Sequence, residues 1–170
     1  QTIEDFENQD TIFSDSISSS FKENIIHQCP PNGPGITVLM MMAILEKFNF
    51  QDINPLSIER FHLQAEATKI AYEQRESNIG DPNFNTFNYK KLIDPENINN
   101  LAAKISMDKI YEPKNHTFTA HPNTIYLTIV DKDQNAVSFI NSVCFAFGSG
   151  ITTNKTGIVL QNRGVNFRLE

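Results

Sequence analysis

Thr124 opens a run of β-branched and aromatic residues, Thr124-Ile-Tyr-Leu-Thr-Ile-Val130, directly after a polar, proline-punctuated stretch from Tyr111 to Asn123. A threonine there offers a hydroxyl nucleophile. Scission of the Asn123-Thr124 bond would add an α-amine to the same residue, with a reference pKa of about 7.7 to 8.0. Nucleophile and general base would then share one residue. A threonine at a strand start also serves β-propensity, and spacing alone leaves both readings open. Other constellations are poorer. His116 and His121 stand five apart with no Cys or acidic neighbour at ligand spacing, and read as solvated loop residues rather than metal ligands. Pro30-Pro-Asn-Gly-Pro-Gly35 precedes an apolar helix but lacks the Lys-Ser/Thr ending of a phosphate cradle. Glu66 and Arg75 are nine apart on one helix and do not face each other, so Glu66 beside Lys69 reads as helix-surface chemistry. No metal site and no cofactor is expected.

The elements that would carry Thr124 follow from pattern. The chain has 170 residues, 39% apolar and 20% charged, enough for one core and one domain. Its net charge of -6, from 14 basic against 20 acidic side chains, gives no footprint for a nucleic acid. The most apolar run, Ile36 to Leu45, is too short for a membrane span. Cys29 and Cys144 are 115 positions apart and are expected as free core thiols. The start at Gln1, without Met or a leader pattern, suggests a piece of a longer protein. The compartment stays open.

Residues 1–22 are expected to form an extended entry segment, because the serine run from Ser14 to Ser20 has no helical period. A rigid loop from Cys29 to Gly35 should end where a helix begins, with Ile36, Leu39, Met40, Ala43, Ile44 and Phe48 inward. Asn54-Pro55 predicts the start of a second helix running to about Arg75, with Phe61, Ala65, Ile70 and Ala71 inward. A short turn over 89–93 and a third helix over 97–107 follow. Residues 111–123 read as a mobile connector between a helical region, 1–110, and a β region, 124–170. Within the latter, 124–130 and 136–141 flank the turn residues Asp131 to Asn135 and predict an antiparallel hairpin, with a bend at Phe147 to Gly150 and a third strand near Ile158 to Gln161. Phe145 and Phe147 are expected to pack at the strand end. Helices first and strands after imply an α+β arrangement.

Two stretches carry a family resemblance. Thr124 through Ser142, continuing by Phe147-Gly-Ser-Gly-Ile151 to Thr156-Gly-Ile-Val-Leu-Gln-Asn-Arg-Gly164, resembles the start of the small subunit of γ-glutamyltransferases. Cys29-Pro-Pro-Asn-Gly-Pro-Gly35, His62 with Glu66 to Ala71 and Arg75, and Gly80-Asp-Pro82 are similar to the end of that family's large subunit. The resemblance implies part of an αββα sandwich of the N-terminal nucleophile hydrolase superfamily, made as a zymogen that cuts itself between Asn123 and Thr124. Thr124 matches the nucleophile, which would act through an acyl-enzyme on γ-glutamyl amides such as glutathione. Ser142 matches a supporting hydroxyl. The implied partners are a small-molecule γ-glutamyl or related amide, the remainder of the large and small subunits, and a second copy of the parent heterodimer.

Some positions depart from the better known members. Ile125 and Tyr126 replace Thr and His; Cys144, Arg163 and Asn166 stand where Asn, Gln and Asp contact the substrate. Exchanging an amide and a carboxylate for Arg163 and Asn166 turns an ammonium-binding corner toward anions. An acylase or poly-γ-glutamate hydrolase with an altered pocket, or an uncleaved, non-catalytic member, is therefore the alternative. The oxyanion-hole glycines and the carboxylate-binding arginine of the family match nothing in this sequence, so these 170 residues alone are expected to be inactive.

Overall fold

The computed structural model describes residues 2–8, 10–49, 52–114 and 124–166. The chain divides into two compact units, Gln1–His116 and Thr117–Glu170.

In the first unit a short helix, α1 (Ile3–Glu7), leads to a hairpin of β1 (Ile17–Phe21) and β2 (Asn24–Gln28), paired antiparallel with Ile17 opposite Gln28. The expected entry segment is thus partly a strand: Ile17, Ser19 and Phe21 alternate inward with period two, a pattern the surrounding serines conceal. β2 runs into the Cys29–Gly35 loop. Cys29 is exposed there rather than buried, and Cys144 is buried; both are free thiols.

Helix α2 (Gly35–Leu45) begins where the loop ends, and buries Ile36, Leu39, Met40 and Ile44 completely. Gly35 is required by approach rather than by conformation, since a Cβ there would stand 2.7 Å from the Cys29 carbonyl oxygen and 2.8 Å from the Gln28 Cβ. The core is formed by α2 against α3 (Ile58–Asn78) and α4 (Pro95–Ala102), with Leu92 from the 3-10 turn Tyr89–Ile93.

Helix α3 starts three residues later than the Asn54-Pro55 signal predicts. Asn54 Oδ1 accepts from Leu56 N (2.9 Å) and closes a separate turn, while Ser57 Oγ accepts from Arg60 N (3.3 Å) as the true cap. Phe61 (57% exposed) and Ala65 face out, and Leu63, Glu66, Ala67, Ile70, Ala71 and Glu73 face in. α4 ends at Ala102, earlier than predicted.

Two buried carboxylates therefore lie on α3, with Glu66 2% and Glu73 7% exposed. Glu66 is not surface chemistry: it pairs with Lys69 and accepts from Tyr111 N (2.5 Å). Glu73 accepts from Lys114 N (2.7 Å) and from the Tyr111 hydroxyl, and Lys69 Nζ donates to the Tyr111 carbonyl (2.8 Å). Burial alone would raise the Glu73 pKa, but the Tyr111 and Lys114 hydrogen bonds and the Lys104 and Lys114 charges bring it below the ordinary value. The same contact, with burial first and the Glu73 charge added, pushes Tyr111 up to about 12.

The second unit holds the predicted hairpin, β3 (Ile125–Val130) with β4 (Ala136–Asn141), in antiparallel register Ile125 to Asn141. The third strand is absent among the described residues. Thr152 and Val159 make an isolated bridge, and Leu160 O accepts instead from Ser149 N (2.8 Å). Gly148, at φ +54, lies so close to Leu160 O that a Cβ would stand 2.4 Å from it. Phe147 is 86% exposed rather than packed. Residues 115–123, the greater part of the expected connector and both of its histidines, lie outside the described residues.

Gly35→Ala should lower the stability of the first unit by about 1 to 3 kcal/mol, read by denaturant unfolding, because the clashing atoms include backbone. Tyr111→Phe should cost about 1 to 2 kcal/mol at neutral pH. Glu73, with its folded pKa lowered, contributes above the ordinary carboxylate range and loses that contribution as acid protonates it. Tyr111, raised from 10.0 to about 12, contributes fully below the former and loses it as pH passes the latter. The difference between wild type and Tyr111→Phe should therefore shrink at both ends of a pH series of unfolding curves.

Candidate functional site

The turn that joins the two strands of the second unit fixes their register. Asp131 Oδ1 accepts from the backbone N–H groups of Asp133 and Asn135, each at 2.9 Å, and Asp131 Oδ2 accepts from Asn135 Nδ2 at 2.9 Å. These bonds, led by those from the Asn135 side chain and backbone, hold the Asp131 carboxyl below its usual range. Gln134 takes the left-handed conformation (φ 64) that closes the loop.

With that register, alternate residues sort onto two faces. Ile125, Leu127 and Ile129 share one with Val137 and Phe139; Thr124, Tyr126 and Thr128 share the other with Ser138 and Ser142. The first face is apolar but for Asn141 at its end, and the second bears the hydroxyls together with Val130, Ala136 and Ile140. Thr124, one residue before β3, meets Ser142, one residue after β4. The Thr124 hydroxyl donates to Ser142 Oγ at 3.0 Å.

Ser142 Oγ also accepts from Cys144 N at 3.0 Å. Cys144 holds φ at 76, a left-handed conformation uncommon for a residue with a side chain, and its side chain is buried. The bent backbone gives Ser142 Oγ a second donor beside the Thr124 hydroxyl, and the two bonds together fix the serine side chain in place. A threonine oxygen that donates its proton into such a bond gains electron density and becomes the better nucleophile.

Of the other residues singled out in the sequence, Arg163 is exposed and opens a 3-10 turn, Arg163–Asn166. Its neighbour Asn162 ties this segment to the Cys144 bend, donating from N to Val143 O (3.2 Å) and accepting at Oδ1 from Phe145 N (3.1 Å). The backbones carrying Cys144 and Arg163 are thus adjacent, and Asn166 lies at the end of the same turn. Asn123, the other half of the junction, lies outside the described residues. A further pair, Tyr126 Oη with Ser138 Oγ at 2.9 Å, sits on the hydroxyl face; its signal was the period-two spacing from Thr124. Among the described residues no three His, Cys, Asp or Glu side chains could hold a metal ion. No helix there is long and apolar enough to cross a membrane.

Comparison with known proteins bears on this geometry. The family model described as Gamma-glutamyltranspeptidase matches residues 1–170. The Glutathione hydrolase-like YwrD proenzyme of Bacillus subtilis (strain 168) is 36% identical over 169 residues, 99% of this chain and 32% of the relative. The Oxamate amidohydrolase proenzyme of Klebsiella pneumoniae is 33% identical over 140 residues, 82% of this chain and 26% of the relative. Among solved structures, cephalosporin acylase from Bacillus halodurans superposes over the whole chain and 30% of its own length, at TM-score 0.85 and 30% identity. Gamma-glutamyltranspeptidase from Helicobacter pylori shares the fold over 72% of this chain and 37% of its own, at TM-score 0.62 and 20% identity. The chain spans about a third of the length of the first of these curated relatives. The fold is the mixed α/β one of the N-terminal nucleophile hydrolases, and with a match that runs from its first residue to its last the chain belongs to the gamma-glutamyltranspeptidase family.

Proposed function

We propose that the protein containing this chain is a threonine amidohydrolase or acyltransferase that activates itself by scission before Thr124 and then acts on γ-glutamyl amides such as glutathione. The observation that carries this reading is the 3.0 Å hydrogen bond from Thr124 to Ser142, at the head of a strand in a chain whose relatives are called proenzymes.

The chemistry has two stages. In the precursor, Thr124 Oγ1 attacks the Asn123 carbonyl carbon, the C–N bond to the Thr124 nitrogen breaks, and the resulting ester is hydrolysed by water. Thr124 keeps its hydroxyl and gains a free α-amine. In turnover the amine takes the hydroxyl proton as Oγ1 attacks the substrate amide, the proton passes to the leaving amine, and an acyl ester on Thr124 remains. Water, or an acceptor amine, then takes the acyl group and restores the hydroxyl. Ser142 orients Thr124 in both stages, and the Cys144 N–H orients Ser142. The substrate groups would be met by Cys144, Arg163 and Asn166, with the rest of both subunits supplying the oxyanion donors.

A second reading concerns the acyl donor alone. Likeness to a cephalosporin acylase and to an oxamate amidohydrolase, together with Arg163 in place of an amide, favours an anionic amide of another kind on the same nucleophile.

Incubated near neutral pH, the full-length parent should give two fragments by intact mass that meet at Asn123-Thr124, and Thr124→Ala should stay whole. An uncut wild-type parent would remove the catalytic amine and leave a binding or non-catalytic member. Ser142→Ala should slow scission by about ten- to a hundredfold, from loss of the orienting bond. Hydrolysis of γ-glutamyl anilides by cleaved enzyme should rise with pH toward the amine range of about 7.7 to 8.0. A panel including oxamate and acyl β-lactams separates the two donor readings.

A further inference from the structure

The left-handed backbone at Cys144 (φ 76) is disfavoured for any residue with a Cβ, and such a conformation persists only where its surroundings impose it. Rotation about the Cys144 Cα is rotation of the two peptide groups beside it, and Asn162 holds both. Its backbone N–H donates to the Val143 carbonyl at 3.2 Å, and its side-chain Oδ1 accepts from Phe145 N at 3.1 Å. The Val143–Cys144 peptide is held from its other side as well, because Cys144 N donates to Ser142 Oγ at 3.0 Å. Asn162 reaches this position through the returning chain: Leu160 N donates to Ile151 O at 2.9 Å, and Leu160 O accepts from Ser149 N at 2.8 Å. A Cβ on Gly148 would stand 2.4 Å from that carbonyl oxygen, so the two stretches are in backbone contact.

We propose that Asn162 is a positioning residue for the chemistry of Thr124: by bracketing Cys144 it fixes the bend that aims the Cys144 N–H at Ser142 Oγ, and through Ser142 it orients the Thr124 hydroxyl. The proposal rests on the reading of Thr124 as the nucleophile of self-scission. Every link of it lies in the second unit. A serine side chain has three staggered positions, and the Cys144 N–H selects the one in which Oγ meets the Thr124 hydroxyl at 3.0 Å. With the bond from Phe145 to Asn162 gone, Cys144 is freer to relax to negative φ. That relaxation turns the Val143–Cys144 peptide and takes its N–H away from Ser142, which leaves the acceptor of the Thr124 proton unfixed.

Self-scission of the full-length parent, followed by intact mass, tests this whatever the acyl donor is. Asn162→Ala should slow scission roughly three- to tenfold, the change that one hydrogen bond makes in the balance between two conformations. Asn162→Asp, which keeps an acceptor for Phe145 N, should cut at the wild-type rate. Glycine adopts positive φ without penalty, so in a Cys144→Gly background the same Asn162→Ala change should slow scission by less than about twofold. Ser149→Ala removes a side-chain bond to Leu160 O (2.9 Å) between the same two stretches without touching the bracket, and should cut at the wild-type rate. An unchanged rate in Asn162→Ala would overturn the proposal, and so would Asn162→Asp or Ser149→Ala as slow as Asn162→Ala. Equal slowing by Asn162→Ala in both backgrounds would overturn it too, because a merely structural role does not depend on which residue takes the bend. Hydrogen exchange on the uncut Thr124→Ala parent gives an independent check: the Cys144 and Phe145 amides should be protected, and lose protection in Asn162→Ala. Free exchange of both amides with Asn162 in place would mean that no bracket exists. A wild-type parent that never cuts would overturn the underlying reading of scission as well, and is told apart from the other outcomes by the wild-type trace alone.

Discussion

The candidate site depends on the pairing register of β3 with β4. Side chains alternate along a strand with period two, so a slip of one residue would send Thr124 and Ser142 to opposite faces. The register is held at the far end of the hairpin, seven residues from Thr124, by the Asp131 carboxylate and its bonds to Asp133 and Asn135. It is held at the near end by Asn162, which laces the returning chain to Val143 and Phe145. Between these two locks the hydroxyls of Thr124 and Ser142 meet, with no third strand on this hairpin among the described residues. The apolar face opposite exposes Ile125, Leu127, Ile129 and Phe139, more than a two-stranded hairpin can shield by itself. That accords with a chain spanning about a third of its relatives.

The first unit solves a different problem. Its apolar core, built on Ile36, Leu39, Met40, Ile44, Leu63 and Ile70, is ordinary, but two acids stand among the residues α3 turns inward. They are tolerated because backbone N–H groups, the Tyr111 hydroxyl and Lys69 satisfy them, and the cost of their desolvation is spread over several charge-assisted bonds. An apolar contact would hold the same chain without direction. Carboxylates bonded to specific N–H groups fix which residue of the Tyr111–Lys114 stretch sits where on α3.

Much of this was legible in the sequence, for reasons that differ by element. The β3–β4 hairpin was readable because β-branched runs flank an Asp-rich turn, and α2 because Pro34-Gly35 ends a rigid loop at the start of an apolar period. The β1–β2 hairpin was not: its loop, Lys22-Glu23, lacks the Gly and Asn of the usual tight turns, with Lys22 itself at φ 55, and serines dilute its alternation. The start of α3 was misplaced because Asn54-Pro55 and Ser57 are both good caps. The helix is capped by Ser57, and its buried face keeps the expected Ile70 and Ala71 but takes Leu63, Glu66, Ala67 and Glu73 in place of Phe61 and Ala65.

Local chemistry is therefore what the sequence determined by itself: the hydroxyl at the head of a strand, the turn that pairs this strand with the next, and motifs specific enough to assign a family. Tertiary structure decided everything that rests on contacts between distant residues. The distance from Thr124 to Ser142 and the grip of α3 on Tyr111 and Lys114 join positions from 18 to 45 residues apart. A helix period tells which residues share a face, but not which face the rest of the chain will bury. That choice follows from the total free energy of packing, to which each residue type contributes only in the company of its neighbours.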